Sequence, residues 1–372
     1  MKPSRSTHRA PRTRIVPAYH IVAATALDEE KTRAEIAAGD RPGNFLLSLT
    51  DELGATLYEP RDDEARAPGF LENQLLRSPQ KILALADRVA NAAADDDVVF
   101  CIAEGVGLAI AANFLRSEKK TRLAVFAHNI VRPRMRLAML ATPWFQRIDR
   151  LYSISPRMVE TAKRRLPRMA ARIAAVAEQA DEAFFSPGPP EMKARPLIVG
   201  VGLEQRDYRT LAAAVDGLDV DIRISAFSKD ARQQRESMPE AMPANMNARF
   251  YAWRDLAQLY RNADIVVAPL LPNNYAAGIT TLLEAASVGR PAIASSTVGI
   301  DRVFADPDAI VWTPPQDAAA LRSAIQALLD DPARREALGA RAHAAFVAHH
   351  SKARRVKEMA DDLRALGYSA KP

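Results

Sequence analysis

Asp264-Ile265-Val266-Val267-Ala268-Pro269-Leu270-Leu271-Pro272-Asn273-Asn274-Tyr275-Ala276-Ala277-Gly278-Ile279-Thr280-Thr281-Leu282-Leu283-Glu284 runs from a buried apolar strand through a polar loop into a helix that Gly278 opens. Pro291-Ala292-Ile293-Ala294 supplies the next strand, so the stretch reads as one β-α-β unit, which demands a parallel sheet covered by helices. The same alternation extends upstream. Leu197-Ile198-Val199-Gly200-Val201 predicts a strand, Tyr208 to Val215 a helix, Asp221-Ile222-Arg223-Ile224 and Ala248-Arg249-Phe250-Tyr251 two more strands, and 255–262 and 279–288 two helices. Downstream, Asp317 to Leu366 is helical in pattern, with Leu321, Ile325 and Leu328-Leu329 on one face and a stop at Asp331-Pro332.

Before Leu197 the periodicity stops at Ser186-Pro187-Gly188-Pro189-Pro190, where proline removes backbone donors, and a domain boundary is expected near 190. Ahead of it lies a second α/β set. Its expected strands are Arg14-Ile15-Val16, Ala55-Thr56-Leu57-Tyr58, Val98-Val99-Phe100-Cys101-Ile102, Leu123-Ala124-Val125-Phe126 and Leu151-Tyr152-Ser153-Ile154; its helices run from Pro79 to Ala94 and from Gly107 to Arg116. The expectation is therefore an α/β protein of two similar halves, 14–190 and 191–345, with a disordered basic arm over 1–13 and a helix over 346–372.

Composition narrows the class. A chain of 372 residues with 48% hydrophobic and 26% charged residues, 15 Gly and 25 Pro is globular rather than disordered or fibrous. Its one cysteine, Cys101, excludes an internal disulfide and a cysteine-based zinc cluster and points to a reducing compartment. No run approaches the ~20 apolar residues of a membrane span, and the arginine-rich start carries no apolar signal core, so a cytoplasmic location is expected. The net charge of +6 is unevenly spread: residues 15–115 carry 8 basic and 17 acidic side chains, whereas 116–172 carry 15 and 3. The second stretch creates a local positive field.

Parallel α/β sheets hold ligands at the carboxyl ends of their strands, where helices present unpaired N–H groups. That rule selects Gly278, which lets a phosphate approach the backbone, together with the Thr280 and Thr281 hydroxyls and Glu284, whose carboxylate could accept from a ribose diol; the plainer reading is a helix with a polar first turn and a solvated acid. It also selects His128, after the strand 123–127, and Glu104, after 98–103, where Gly105-Val106-Gly107 begins a strand–turn–helix. Ile110 breaks GxGxxG, so a dinucleotide fingerprint is excluded. Arg132-Pro133-Arg134-Met135-Arg136-Leu137-Ala138-Met139-Leu140-Ala141-Thr142-Pro143-Trp144-Phe145 mixes cations with apolar residues, as a segment resting on an anionic bilayer would, or a solvated cationic helix whose apolar side joins the core. No nucleic-acid-binding module accompanies the charge, and neither Asp95-Asp96-Asp97 nor His349-His350 reads as a metal site.

Gly278-Ile279-Thr280-Thr281-Leu282-Leu283-Glu284-Ala285-Ala286-Ser287-Val288-Gly289-Arg290-Pro291-Ala292-Ile293-Ala294 resembles the donor-binding signature of GT-B glycosyltransferases, especially the retaining family four. Tyr260 to Pro269, Pro314 to Leu321, Leu328 to Pro332 and Asp181 to Pro187 resemble flanking segments of that family in the expected order, so the likeness covers about 181–345. It implies two Rossmann-like domains facing across a cleft, with the last helix crossing back to the first domain. It implies a metal-independent transferase with no cofactor beyond a nucleotide diphosphate sugar as co-substrate. The acceptor would be a glycan or lipid-linked sugar in polysaccharide or cell-envelope biosynthesis, met at the inner membrane face through the basic segment 132–150.

The resemblance assigns the donor to Gly202, Arg206, Lys229, Tyr275, Gly278, Ile279, Thr280, Thr281 and Glu284, and catalysis or sugar contact to His128, with Glu104 as base if transfer inverts. One departure stands out. Of the two glutamates seven residues apart that the family carries, Glu284 matches the second, but Ala276 occupies the first, leaving Asn273, Asn274 or Tyr275 to replace the sugar contact. That loss also admits a non-catalytic GT-B protein that binds a nucleotide sugar or a glycan-assembly partner, or a GT-B sugar-nucleotide epimerase or hydrolase.

Overall fold

The computed structural model describes residues 16–129, 132–226, 237–300 and 302–369. Two six-stranded parallel sheets carry the molecule. The first contains β1 (Tyr19–Val22), β2 (Thr56–Tyr58), β3 (Val98–Cys101), β4 (Arg122–Phe126), β5 (Arg150–Ser153) and β6 (Ile173–Ala175), in the order β2-β1-β3-β4-β5-β6. Its central strands β3 and β4 are buried on both faces, as continuous apolar runs in a helix-covered parallel sheet must be. The second contains β7 (Leu197–Val201), β8 (Asp221–Ser225), β9 (Met246–Arg249), β10 (Ile265–Ala268), β11 (Ala292–Ser295) and β12 (Ile310–Thr313), in the order β12-β11-β10-β7-β8-β9.

Several strands differ from their sequence reading. Val16 is exposed, and the first strand instead begins at Tyr19; Arg14, Ile15 and the basic arm 1–13 lie outside the described residues. His20 disguises β1, because its ring is held between the Tyr58 hydroxyl (3.2 Å from Nδ1) and Asp97 (3.0 Å from Nε2), giving a buried polar residue partners that a sequence pattern does not show. The strand expected at 248–251 starts two residues earlier, where Met246, paired with Ile222, is the buried residue of β9 while Phe250 is exposed. The edge strands β6 and β12 were not expected at all.

The two sheets wind differently. In the second, the chain's first strand β7 is central, β8 and β9 build outward on one side, and β10 returns to the other, so the order reverses between β7 and β10. In the first, the reversal falls between β1 and β3. Such switch points leave a crevice at the strands' carboxyl ends, because the following loops diverge.

The chain crosses between sheets twice, and the crossings run side by side. Ala180 forms a parallel bridge with Ser351, flanked by Ala180 N–H to His350 O (3.2 Å) and Lys352 N–H to Ala180 O (3.0 Å). His350 is buried there: Nδ1 lies 2.8 Å from Glu178 O, Nε2 accepts from Ala305 N–H (3.0 Å), and the ring stacks on Phe304. A carbonyl can only accept, so Nδ1 carries the hydrogen of a neutral imidazole, and burial lowers its pKa from the ordinary histidine value. The last helix, Lys352–Tyr368, then packs on the helix Phe45–Leu53 and against β3 and β4 through Met359, Ala360 and Leu363. One apolar cluster continues from Ile21, Phe100 and Tyr152 through Phe185 to Tyr260 and Leu282.

Candidate functional site

The turn after β7 and the loop after β10 meet at the second sheet's switch point. Gly202 ends β7 with φ +91°, in the left-handed region that favours glycine. Arg206, 5% exposed, folds back over this turn: Nε donates to Val201 O (2.8 Å), Nη1 to Glu204 O (2.9 Å) and Nη2 to Thr281 Oγ1 (2.8 Å). Thr281 Oγ1 itself donates to Val201 O (3.2 Å), so the guanidinium and the threonine tie the turn to the helix Ile279–Ser287. Gly278, with φ +87°, caps that helix without a side chain, and the first N–H groups stay open to a ligand. Tyr275 Oη donates to Glu204 Oε1 (2.7 Å), joining the two loops across their mouths.

A cavity of about 710 Å³ lies against this wall. Gly202, Arg206, Tyr275, Gly278, Ile279 and Thr280 line it from the second sheet, and Glu104, His128, Asn129, Arg132, Arg134 and Glu178 from the first. The structure thus gathers eight of the expected site residues around one space. Thr281 and Glu284 stand outside its lining. Glu284 is buried on the helix's inner side, where Oε2 accepts from the Tyr260 hydroxyl at 2.6 Å and burial pushes its pKa up to about 7. One oxygen of this carboxyl is thus engaged by Tyr260 within the core. Lys229 lies outside the described residues.

His128 places its ring at the carboxyl end of β4, with Nε2 3.0 Å from Ile102 O, and its backbone N–H donates to Glu104 Oε2 (3.1 Å). A carbonyl can only accept, so Nε2 carries a hydrogen. Sequence reading missed Glu178 and Asn129. Burial raises the Glu178 pKa above its ordinary value, and Asn129 Oδ1 is buried without a partner among the described residues. Glu178 follows β6, so the strand-end rule would have found it had Ile173-Ala174-Ala175 been read as a strand. Asn129 sits beside His128 and needed only that rule carried one residue further.

The basic segment forms the helix Pro133–Ala141, whose Met135, Ala138 and Met139 enter the core, as do Trp144 and Phe145. Leu137 and Leu140 face outward, 54% and 85% exposed, among exposed Arg134 and Arg136; the neighbouring helix Phe70–Leu75 adds exposed Phe70. Among the described residues, no group of three or more His, Cys, Asp or Glu is arranged to hold a metal ion, and no helix is long and apolar enough to cross a membrane.

Residues 209–361 match a family model described as glycosyl transferase-like. No curated protein matches in sequence. Among solved structures, an α,α-trehalose-phosphate synthase (UDP-forming) from Burkholderia vietnamiensis is similar at a TM-score of 0.70 and 14% identity, over 95% of this chain and 99% of that one. Sucrose-phosphate synthase from Thermosynechococcus elongatus gives 0.67 and 17%, over 94% and 99%. Anabaena Alr3699/HepE, solved with UDP-glucose, gives 0.64 and 13%, over 93% and 99%. The chain therefore has the GT-B fold of two facing Rossmann-like domains, and its residues 209–361 are similar to a glycosyl transferase-like family.

Proposed function

We propose that the protein is a glycosyltransferase that moves a sugar from a nucleotide diphosphate donor to a glycan or glycolipid acceptor. The observation that carries this reading is the helix N-terminus at Gly278-Ile279-Thr280 opening into the cleft at the switch point between β7 and β10. Such a terminus favours a diphosphate, and Arg132 and Arg134 add positive charge from the opposite wall of a lining that also holds Glu104, Glu178 and Glu204. The acceptor hydroxyl bonds to the anomeric carbon while the bond from that carbon to the diphosphate breaks. Its electron pair leaves on the phosphate oxygen, which takes up the acceptor's proton. His128 and Glu178 line the space where this exchange occurs.

Retention of configuration and independence from metal belong to the same proposal, on the family-four likeness of 278–294. A cytoplasmic enzyme lying on the inner membrane face is supported by Leu137 and Leu140 beside Arg134 and Arg136. The test is a melting-temperature screen with UDP, GDP, their sugar conjugates and dinucleotide controls, since selective ligands stabilise the folded state. A shift with one nucleotide class, followed by donor consumption that requires an acceptor, is the expected result; no shift in folded protein would sink the reading. A second reading, binding without transfer, is favoured by Ala276 and by the pairing of Glu284 with Tyr260. It would show as a nucleotide shift without turnover on any acceptor.

A further inference from the structure

The first sheet holds a cavity of its own, about 510 Å³, where the loops after β1, β3 and β4 diverge. Phe45, Phe126 and, from the second domain, Trp253 provide aromatic walls; His128 and Glu178 line both this space and the larger one. This is the size and character of a small-ligand pocket, mostly apolar with a few placed polar groups.

Arg355 enters it from the last helix. The residue is only 5% exposed, and its guanidinium stands 5.7 Å from the Phe45 ring centroid. Among the described residues it makes no side-chain hydrogen bond, and no carboxylate lies within ion-pairing distance. A buried guanidinium is costly unless its donors are satisfied, and Arg355 has the cavity it lines as the space in which to find an acceptor. Arg41 strengthens the point: it lines the same cavity, and its buried Nε has no partner although Nη1 reaches Glu35 and Thr32. Within the cavity's lining the two arginines stand against one carboxyl, that of Glu178, which burial disfavours in its ionised form; outside the lining Arg41 is paired with Glu35, and Glu358 and Asp362 on the last helix add negative charge near Arg355.

We propose that this cavity is the acceptor subsite and that the acceptor is an anionic sugar, its phosphate or carboxylate held by the Arg355 guanidinium and its ring resting against Trp253. Arginine suits this task because its planar fork matches both groups bidentately. The cavity's junction with the larger space at His128 and Glu178 sets a sugar hydroxyl toward the transferred group. The inference rests on the glycosyltransferase reading for its word acceptor, but not for the binding of an anion.

The test is calorimetric titration of the full chain with inorganic phosphate, glucose 6-phosphate, glucuronate and uncharged glucose, with and without saturating UDP. Phosphate or glucuronate should bind at least tenfold more tightly than glucose, and which of the two does so separates a phosphorylated from a carboxylated acceptor. Arg355→Gln should weaken the anionic probes about tenfold or more while leaving UDP affinity unchanged. Trp253→Ala, at a half-exposed position, should weaken glucose 6-phosphate or glucuronate and leave inorganic phosphate alone. Undiminished anion binding in Arg355→Gln, or failure of every anionic probe to bind, overturns the proposal. Should Arg355→Gln not fold, unchanged glucose 6-phosphate and glucuronate affinity in Trp253→Ala overturns it equally. A failure of UDP to bind would count against the transferase reading alone, since the Arg355 dependence is also measured without UDP.

Discussion

The wall at the β7–β10 switch point and the cavity at the β1–β3 switch point occupy equivalent places in two parallel sheets, yet they are made of different material. The first is mainly backbone: two glycines with positive φ and a helix N-terminus, with a guanidinium that gives three hydrogen bonds to the turn and the helix behind it. The second is side chain: two arginines, a carboxyl and aromatic rings drawn from five separate parts of the chain. A backbone wall offers the same donors to any diphosphate, whereas a side-chain cavity can be retuned by single substitutions. Generic recognition on one side and selective recognition on the other is the division expected of an enzyme that joins a common activated donor to a particular acceptor.

The sharpest way to break this contrast is Arg206→Met. It removes three charge-assisted hydrogen bonds and should cost about 4 kcal/mol in urea unfolding, with loss of nucleotide binding and preserved phosphate binding at Arg355. A cost under about 1 kcal/mol would mean that the turn stands without its guanidinium. Next in size is Glu284→Gln. The wild-type carboxyl, raised from its ordinary 4.5 to about 7, binds its proton more tightly in the folded chain. Its contribution to stability is full below 4.5, declines as pH rises toward about 7 and is absent above that, a fall of about 3 kcal/mol. Unfolding measured at pH 5 and 8 should show that slope flattened in the variant, where the amide still accepts from Tyr260; an unaltered slope would place the titration elsewhere. The smallest effect on folding is expected at a surface outside both regions. Leu137→Ser with Leu140→Ser should change stability by less than about 0.5 kcal/mol. The same pair should lower partitioning onto phosphatidylglycerol vesicles about tenfold, and unchanged partitioning would remove the support for membrane contact.

The contrast also explains what could be read in advance. Gly202 and Gly278 were visible as glycines at strand–helix turns, and the helix Tyr208–Val215 follows directly from its spacing. Backbone sites leave local marks. Glu284 was legible on its helix from spacing, whereas its hydrogen bond from Tyr260 was not, because it depends on a partner 24 residues upstream. Arg355 was one cation in a charged helical tail, and only the return of that helix to β3 and β4 buries it. The three- and four-residue edge strands β6 and β12 were too short to register against their flanks, and with β6 went the clue to Glu178.

His350 gives the two regions a mechanical relation. Its imidazole fastens the outgoing crossing at Glu178, a loop of the second domain at Ala305 and the start of the returning helix at one point. Glu178 is itself held there, and Arg355 lies five residues further along the chain, so one anchor sets the positions of both groups in the first-domain cavity.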